Sequence, residues 1–232
     1  MTLRIGPVFI GLAMLTSAMR ASAQAPLELR PKAPTSKPAA ELKQNSPKQA
    51  GSIDSTTIVQ RANSYFNASS VLTADFIQIG ADGRRSEGKL FVSKPGKLRF
   101  EYAKPSNLEI IADGTSVAVR DRKLATQDLY LIAQTPLKFL LKNQIDLARD
   151  TRILDTKSEA STTSLLLEDK ATLGGTSQIK LLFDGQLANL KQWQIIDPQG
   201  HQTVVSLQNI DRSSHPDSDL FRINTERMLN PN

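Results

Sequence analysis

The residue types that carry most enzyme chemistry are thinly spread in this chain of 232 residues, which has two histidines and no cysteine. Without a thiol there is no thiolate nucleophile, no disulfide and no sulfur ligand for a metal. His201 follows the turn Asp197-Pro198-Gln199-Gly200 and His215 lies in Arg212-Ser213-Ser214-His215-Pro216, so each reads as an exposed loop residue rather than a base or a ligand. No serine stands in a G-x-S-x-G setting, and Leu173-Gly174-Gly175 lacks the strand, loop and helix that build a phosphate cradle. The carboxylates are scattered over turns and polar faces. These patterns predict a protein that is not an enzyme and holds no metal or other cofactor. What the spacing does offer is contact with hydrocarbon: Phe76, Leu98, Phe100, Tyr102, Ile110, Leu137, Leu140 and Leu141 form a dispersed apolar set. Two readings of that set stay open, an ordinary dry core or an inner face that receives hydrocarbon beneath a removable cover.

The elements that would position these residues follow from periodicity. In residues 88 to 114 three short alternating segments follow one another, with Leu98, Phe100 and Tyr102 on one face of the middle one and Lys97, Arg99 and Glu101 on the other. The turns Lys94-Pro95-Gly96-Lys97 and Lys104-Pro105-Ser106-Asn107 place proline where no ladder donor is needed. Upstream, Leu72, Ala74, Phe76 and Gln78 alternate with Thr73, Asp75 and Ile77, closed by Asp82-Gly83. Further strands are expected from Asp113-Gly114 onward and again beyond Asp146, with turns at Asp184-Gly185 and Asp197-Pro198-Gln199-Gly200.

About ten or eleven strands result, too many for a flat sheet, so the fold expected is mainly β: a barrel or strongly curved antiparallel sheet. Two helical segments can cover its inner face. One, capped by Asp54 or Ser55, carries Ile58, Ala62, Tyr65 and Phe66 on one side. The other starts with Pro136 at its first position and holds Leu137, Leu140 and Leu141.

The first 52 residues read differently. Arg4, an apolar run from Ile5 to about Leu15, and Ala21-Ser22-Ala23 make an export signal over residues 1–23, with a run too short to span a bilayer. Residues 24–52 are rich in Pro, Lys, Ser and Ala and poor in large apolar residues, the composition of a disordered arm. Most of the net charge of +6 resides there and in the signal; residues 53–232 hold 22 basic side chains against 21 acidic. That near balance, with no basic stripe between aromatics, removes the electrostatic basis for a nucleic-acid partner.

The run Glu87-Gly88-Lys89-Leu90-Phe91-Val92-Ser93-Lys94-Pro95-Gly96-Lys97-Leu98-Arg99-Phe100-Glu101-Tyr102, continued to Gly114, resembles the LolA family of periplasmic outer-membrane lipoprotein carriers. Leu72, Ala74, Phe76 and Gln78 upstream and Thr135-Pro136-Leu137 downstream belong to the same resemblance, which covers residues 53 to 229 and is strongest from 72 to 141. It implies a half-barrel carrier domain over residues 53–232: an incomplete antiparallel barrel closed by helices, with a cavity for acyl chains. The residues it implies for chain binding are Phe76, Leu98, Phe100, Tyr102, Ile110, Val119, Leu137, Leu140 and Leu141, with Ile58, Ala62, Tyr65 and Phe66 on the lid helix.

Lys94 stands where the family often has an arginine that bonds to lid backbone, a departure that could shift that role to Arg99 or Arg120. The implied partners are acylated lipoproteins, an inner-membrane lipoprotein-releasing ABC transporter and an outer-membrane lipoprotein acceptor, met in the periplasm by a monomer. An acceptor would carry a lipidated cysteine, and the chain has none, so the carrier reading is preferred. The alternative is a sensing domain of the same fold that binds lipid or lipoprotein and regulates a partner.

Overall fold

The computed structural model describes residues 53–136 and 138–224. The export signal and arm expected over residues 1–52 lie outside them, as does Leu137. The first described element is helix α1 (Ser55–Asn67), started by Asp54. One carboxylate oxygen of Asp54 accepts the Thr57 backbone N–H at 3.0 Å and the other accepts the Thr57 hydroxyl at 2.6 Å. The bonds from Thr57, its hydroxyl foremost, hold the Asp54 carboxyl below its ordinary value. Ile58, Ala62, Tyr65 and Phe66 form the buried stripe of α1, as their spacing predicts.

Eleven strands follow: β1 (Val71–Ile79), β2 (Arg85–Ser93), β3 (Lys97–Tyr102), β4 (Leu108–Asp113), β5 (Ser116–Asp121), β6 (Thr126–Leu131), β7 (Arg152–Ser158), β8 (Thr162–Thr172), β9 (Gly175–Asp184), β10 (Leu190–Ile196) and β11 (Gln202–Asp211). They form one antiparallel sheet in the order β6-β5-β4-β3-β2-β1-β11-β10-β9-β8-β7. Every pairing is a hairpin except β1 with β11, which joins the first strand to the last. β6 and β7 are the two edges, so the sheet is not closed.

The sheet nevertheless curls. Four inter-strand steps separate β3 from β10, roughly 19 Å across a flat sheet, yet the rings of Phe100 and Trp193 have centroids 6.3 Å apart. Phe100 also meets Phe76 edge-on at 5.1 Å. The helix α1 closes on the far wall, with the Tyr65 and Phe66 rings 5.3 and 5.9 Å from that of Phe183 on β9.

The connection between the edges departs from the sequence reading. One short helix was expected to begin at Pro136, with strands resuming beyond Asp146. The structure has two 3-10 turns, Ile132–Gln134 and Lys138–Leu141, and then a single helical turn, α2 (Leu147–Asp150). Segments this short make too few bonds to sustain a longer helix, and the first two take the tighter three-residue bonding. On the other side of the sheet, the 3-10 turn Ser218–Phe221 lies against β3 and β4. There Arg99 donates to Leu220 O at 3.0 Å and to buried Glu109, which Arg120 also approaches at 3.6 Å. Arg99 and Arg120 therefore belong to the outer face and leave the cover to other cations.

One glycine sets how closely the curled strands approach. A Cβ on Gly88 would lie 2.0 Å from Glu101 O and 2.9 Å from the Tyr102 Cα, both main-chain atoms with no flexible end to move. Gly88→Ala is expected to lower stability by about 3 kcal/mol, at the upper end for overpacking. The midpoint of urea unfolding measures it, and an unchanged midpoint would show that β2 and β3 can part at no cost.

Candidate functional site

Under the C-terminal end of α1 the core leaves a cavity of about 50 Å³. Tyr65 and Phe66 come from α1, Val71 and Leu72 from β1, Leu90 and Val92 from β2, Leu98 from β3 and Leu140 from the 3-10 turn Lys138–Leu141. Leu190 and Trp193 on β10 and Leu207 on β11 complete the apolar lining, and Ser69, Ser70, Lys94 and Arg212 supply its polar part. Alternation turns Leu72, Leu90, Val92, Leu98, Trp193 and Leu207 inward, Val71 and Leu190 join them as the first residues of β1 and β10, and the curl of the sheet brings strands from both halves to one place.

Of the residues expected to bind acyl chains, Leu98 and Leu140 line this cavity, together with Tyr65 and Phe66 from α1. Phe76, Phe100, Tyr102, Ile110 and Leu141 are buried in the surrounding core, and Val119 packs against it from a half-buried position. Ile58 and Ala62 are buried under α1. The sequence reading missed Trp193, Leu190 and Leu207, which belong to its weakly matched C-terminal half. Arg212 was missed because no local pattern marks a basic residue just past a strand.

The cover over this space is held by separate polar bonds. Asn67 on α1 donates to Ile145 O at 2.8 Å and accepts from Ile145 N at 2.9 Å, while Asn63, one turn earlier, accepts from Leu147 N at 3.0 Å. These bonds join α1 to the start of α2 and to the segment before it. Gly96 N donates to Leu141 O at 2.8 Å, Leu173 N donates to Gln134 O at 2.8 Å, and Lys138 pairs with buried Asp169 at 2.9 Å. The 3-10 turns are thus fastened to the β2–β3 turn on one wall and to β8 and its hairpin on the other.

Two cations bind the end of α1. Lys94 Nζ donates to Phe66 O, and Arg212 donates to Tyr65 O with its guanidinium 4.4 Å above the Tyr65 ring. Positive charge at a helix C-terminus is favoured by the dipole and by the unsatisfied carbonyls. Lys94 therefore reaches lid backbone on α1, whereas the 3-10 turn is bonded by the main chain of Gly96. Burial, and then the nearby Arg212 charge, pull the Lys94 ammonium down to about 8. His201 Nδ1 lies 3.2 Å from Asp197 Oδ2 in the turn that Asp197 also braces by accepting the backbone N–H of Gln199 at 2.9 Å. His215 is exposed. Among the described residues no group of three His, Asp or Glu could hold a metal ion.

An open antiparallel sheet curled round an apolar space, with helical pieces for a cover, defines a mainly β half-barrel. Residues 67–224 match the model of LolA, the outer membrane lipoprotein carrier protein, and the chain belongs to that family. The outer-membrane lipoprotein carrier protein of Dechloromonas aromatica is 26% identical over 164 residues, covering 67% of this chain and 77% of that one. That of Methylococcus capsulatus is 27% identical over 176 residues, covering 72% and 83%. A LolA superfamily protein from Nitrosomonas europaea superposes with a TM-score of 0.42 at 8% identity, over 74% of this chain and 98% of that one. The family is one of non-enzymatic transport proteins, and this chain is a LolA-family lipoprotein carrier.

Two measurements probe the site. Leu140→Glu places a charge on the half-buried cavity face of the 3-10 turn. It is expected to weaken binding of a hydrophobic dye by a larger factor than it lowers the folding equilibrium constant, because a half-buried carboxylate can turn to water in the folded chain but not beneath a bound tail; an equal collapse of both would mean that Leu140 serves the core alone. The second concerns Lys94, whose value is about 8 in the folded chain and 10.5 when unperturbed. Between those values the unfolded chain binds the additional proton, so this group's contribution to stability rises with pH there and is flat below about 8. Wild type is expected to gain stability relative to Lys94→Met as pH climbs from 8 towards 10.5. A difference in urea midpoint that stays constant over that range would place the ammonium in solvent.

Proposed function

We propose that this chain works in the periplasm, taking the acyl chains of lipoproteins released from the inner membrane by an ABC transporter and passing them to an acceptor at the outer membrane. The observation that carries the proposal is the apolar cavity beneath a cover fastened by separate polar bonds. Lipid tails in water cost about 0.8 kcal/mol per CH₂, so cargo with two or three chains needs a portable apolar site to cross an aqueous gap. As it stands, a space of about 50 Å³ has room for only a few water-sized groups. A chain enters by lifting the cover.

The polar tethers suit that step. A hydrogen bond inside the protein is worth only about 0.5–1.5 kcal/mol net, because water replaces it when it opens. Apolar wall residues such as Leu90, Val92 and Leu98 grip a chain by area rather than by shape, which permits release.

The test is purification from the periplasm of a strain whose acceptor is blocked, with mass spectrometry of whatever accompanies the protein. Acylated lipoproteins are the expected companions, and depletion of the chain is expected to strand lipoproteins in the inner membrane. Absence of acylated protein in that strain would defeat the proposal. A change in transcription before any lipoprotein is mislocalised would point to a sensing role instead.

A further inference from the structure

The mouth of the cavity carries an uncompensated positive charge. Lys94 and Arg212 line it, and no aspartate or glutamate does. Neither cation has a carboxylate partner among the described residues. Asp211, next to Arg212 in sequence, turns to the Ser213 N–H at 2.8 Å and hydroxyl at 2.6 Å, and Asp184 to Ala188 N at 2.7 Å and Asn189 at 2.9 Å, so neither forms an ion pair with the two cations.

Each cation gives one side-chain hydrogen bond to the end of α1. An ammonium has three N–H groups and a guanidinium five, so most of their donor capacity is left over. Burial and the two like charges together make the charged state of Lys94 less favourable, a penalty that a bound anion would offset.

We propose that this mouth is a head-group site for an anionic amphiphile, with the carboxylate of a free long-chain fatty acid as its occupant and the tail in the cavity. A carboxylate has two oxygens, one for the Lys94 ammonium and one for the Arg212 fork, and such charge-assisted bonds are about twice as strong as neutral ones. With the cover closed, about 50 Å³ takes no long tail, so the tail enters as the cover lifts, and one tail between Leu98, Leu140 and Trp193 asks for less opening than a pair. The site rests on the reading of the cavity as an acyl-chain site, and adds a preference that a tail alone does not produce: an ester or alcohol of the same length offers no charge to the two cations.

Fluorescence titration with dansyl-labelled undecanoic acid and with its methyl ester tests this at neutral pH. The acid is expected to bind about tenfold more tightly than the ester, the ratio that a charged hydrogen bond supplies, and added salt is expected to erode that ratio by screening. In Arg212→Gln, and independently in Lys94→Gln, the acid-to-ester ratio is expected to fall towards one. Circular dichroism establishes that each variant is folded, and the wild-type ratio and its salt dependence stand without either. Equal binding of acid and ester by wild type, or folded variants that keep the preference, would overturn the head-group site and leave the carrier reading intact. Failure of both probes to bind would overturn the acyl-chain cavity and with it the carrier reading. Displacement of the probe by lysophosphatidylglycerol at lower concentration than by palmitate would overturn the choice of a carboxylate.

Discussion

The inner face of this sheet is apolar along nearly its whole width, and its edge strands β6 and β7 do not pair. The sheet cannot seal that face with its own ladder, so closure falls to α1, the 3-10 turns between Ile132 and Leu141, and α2. Apolar burial supplies the drive at roughly 25 cal/mol per Å² but no direction. Direction comes from polar contacts at a few points: the side-chain amides of Asn63 and Asn67, the Gly96 amide, and Lys138 on Asp169. A cover positioned this way has a definite closed arrangement without a large penalty for leaving it, since each bond can be exchanged for one with water.

The helix end at the mouth shows how one local requirement serves two ends. The last carbonyls of α1 have no partner within the helix and must find one. Lys94 and Arg212 provide it from the end of β2 and from just past β11, so capping the helix also fastens it to two strands that flank β1. The division of labour follows from the side chains. The lysine acts as a point charge on one carbonyl, while the arginine, planar and still rich in donors, stacks on Tyr65 as well.

Most of the frame was legible in the sequence because it depends on short-range pattern. The alternation in β3, the cap offered by Asp54 or Ser55 and taken by Asp54, and the stripe Ile58, Ala62, Tyr65 and Phe66 each follow from residues within one element. The connection between β6 and β7 was not legible. A proline followed by Leu140 and Leu141 signals a helix start but does not fix whether three- or four-residue bonding follows, and α2 contributes a single buried leucine, Leu147, to any periodicity. The cavity itself was half legible. Leu98 and Leu140 could be named from alternation and from the resemblance, whereas Trp193, Leu207 and Arg212 reach the cavity only because β1 pairs with β11, a contact between chain positions some 130 residues apart.

The two faces of the sheet solve opposite problems. Outside, Glu109 is buried between Arg99 and Arg120 under the turn Ser218–Phe221, and the cost of taking those charges from water is met by their mutual attraction and by the bond to Leu220 O. Nothing there has to move, and breaking the group would leave a buried charge unpaired. Inside, the walls of the cavity are aliphatic and aromatic, Lys94 and Arg212 are the charged residues of its lining, and the buried pair of Lys138 with Asp169 fastens the cover rather than the walls. A network like that of Glu109, placed inside, would tie the walls together and would have to be taken apart for every chain admitted. Keeping the Glu109 network on the outer face, and tying the cover by hydrogen bonds and the single pair of Lys138 with Asp169, lets the wall stay rigid while the cover alone responds to a ligand.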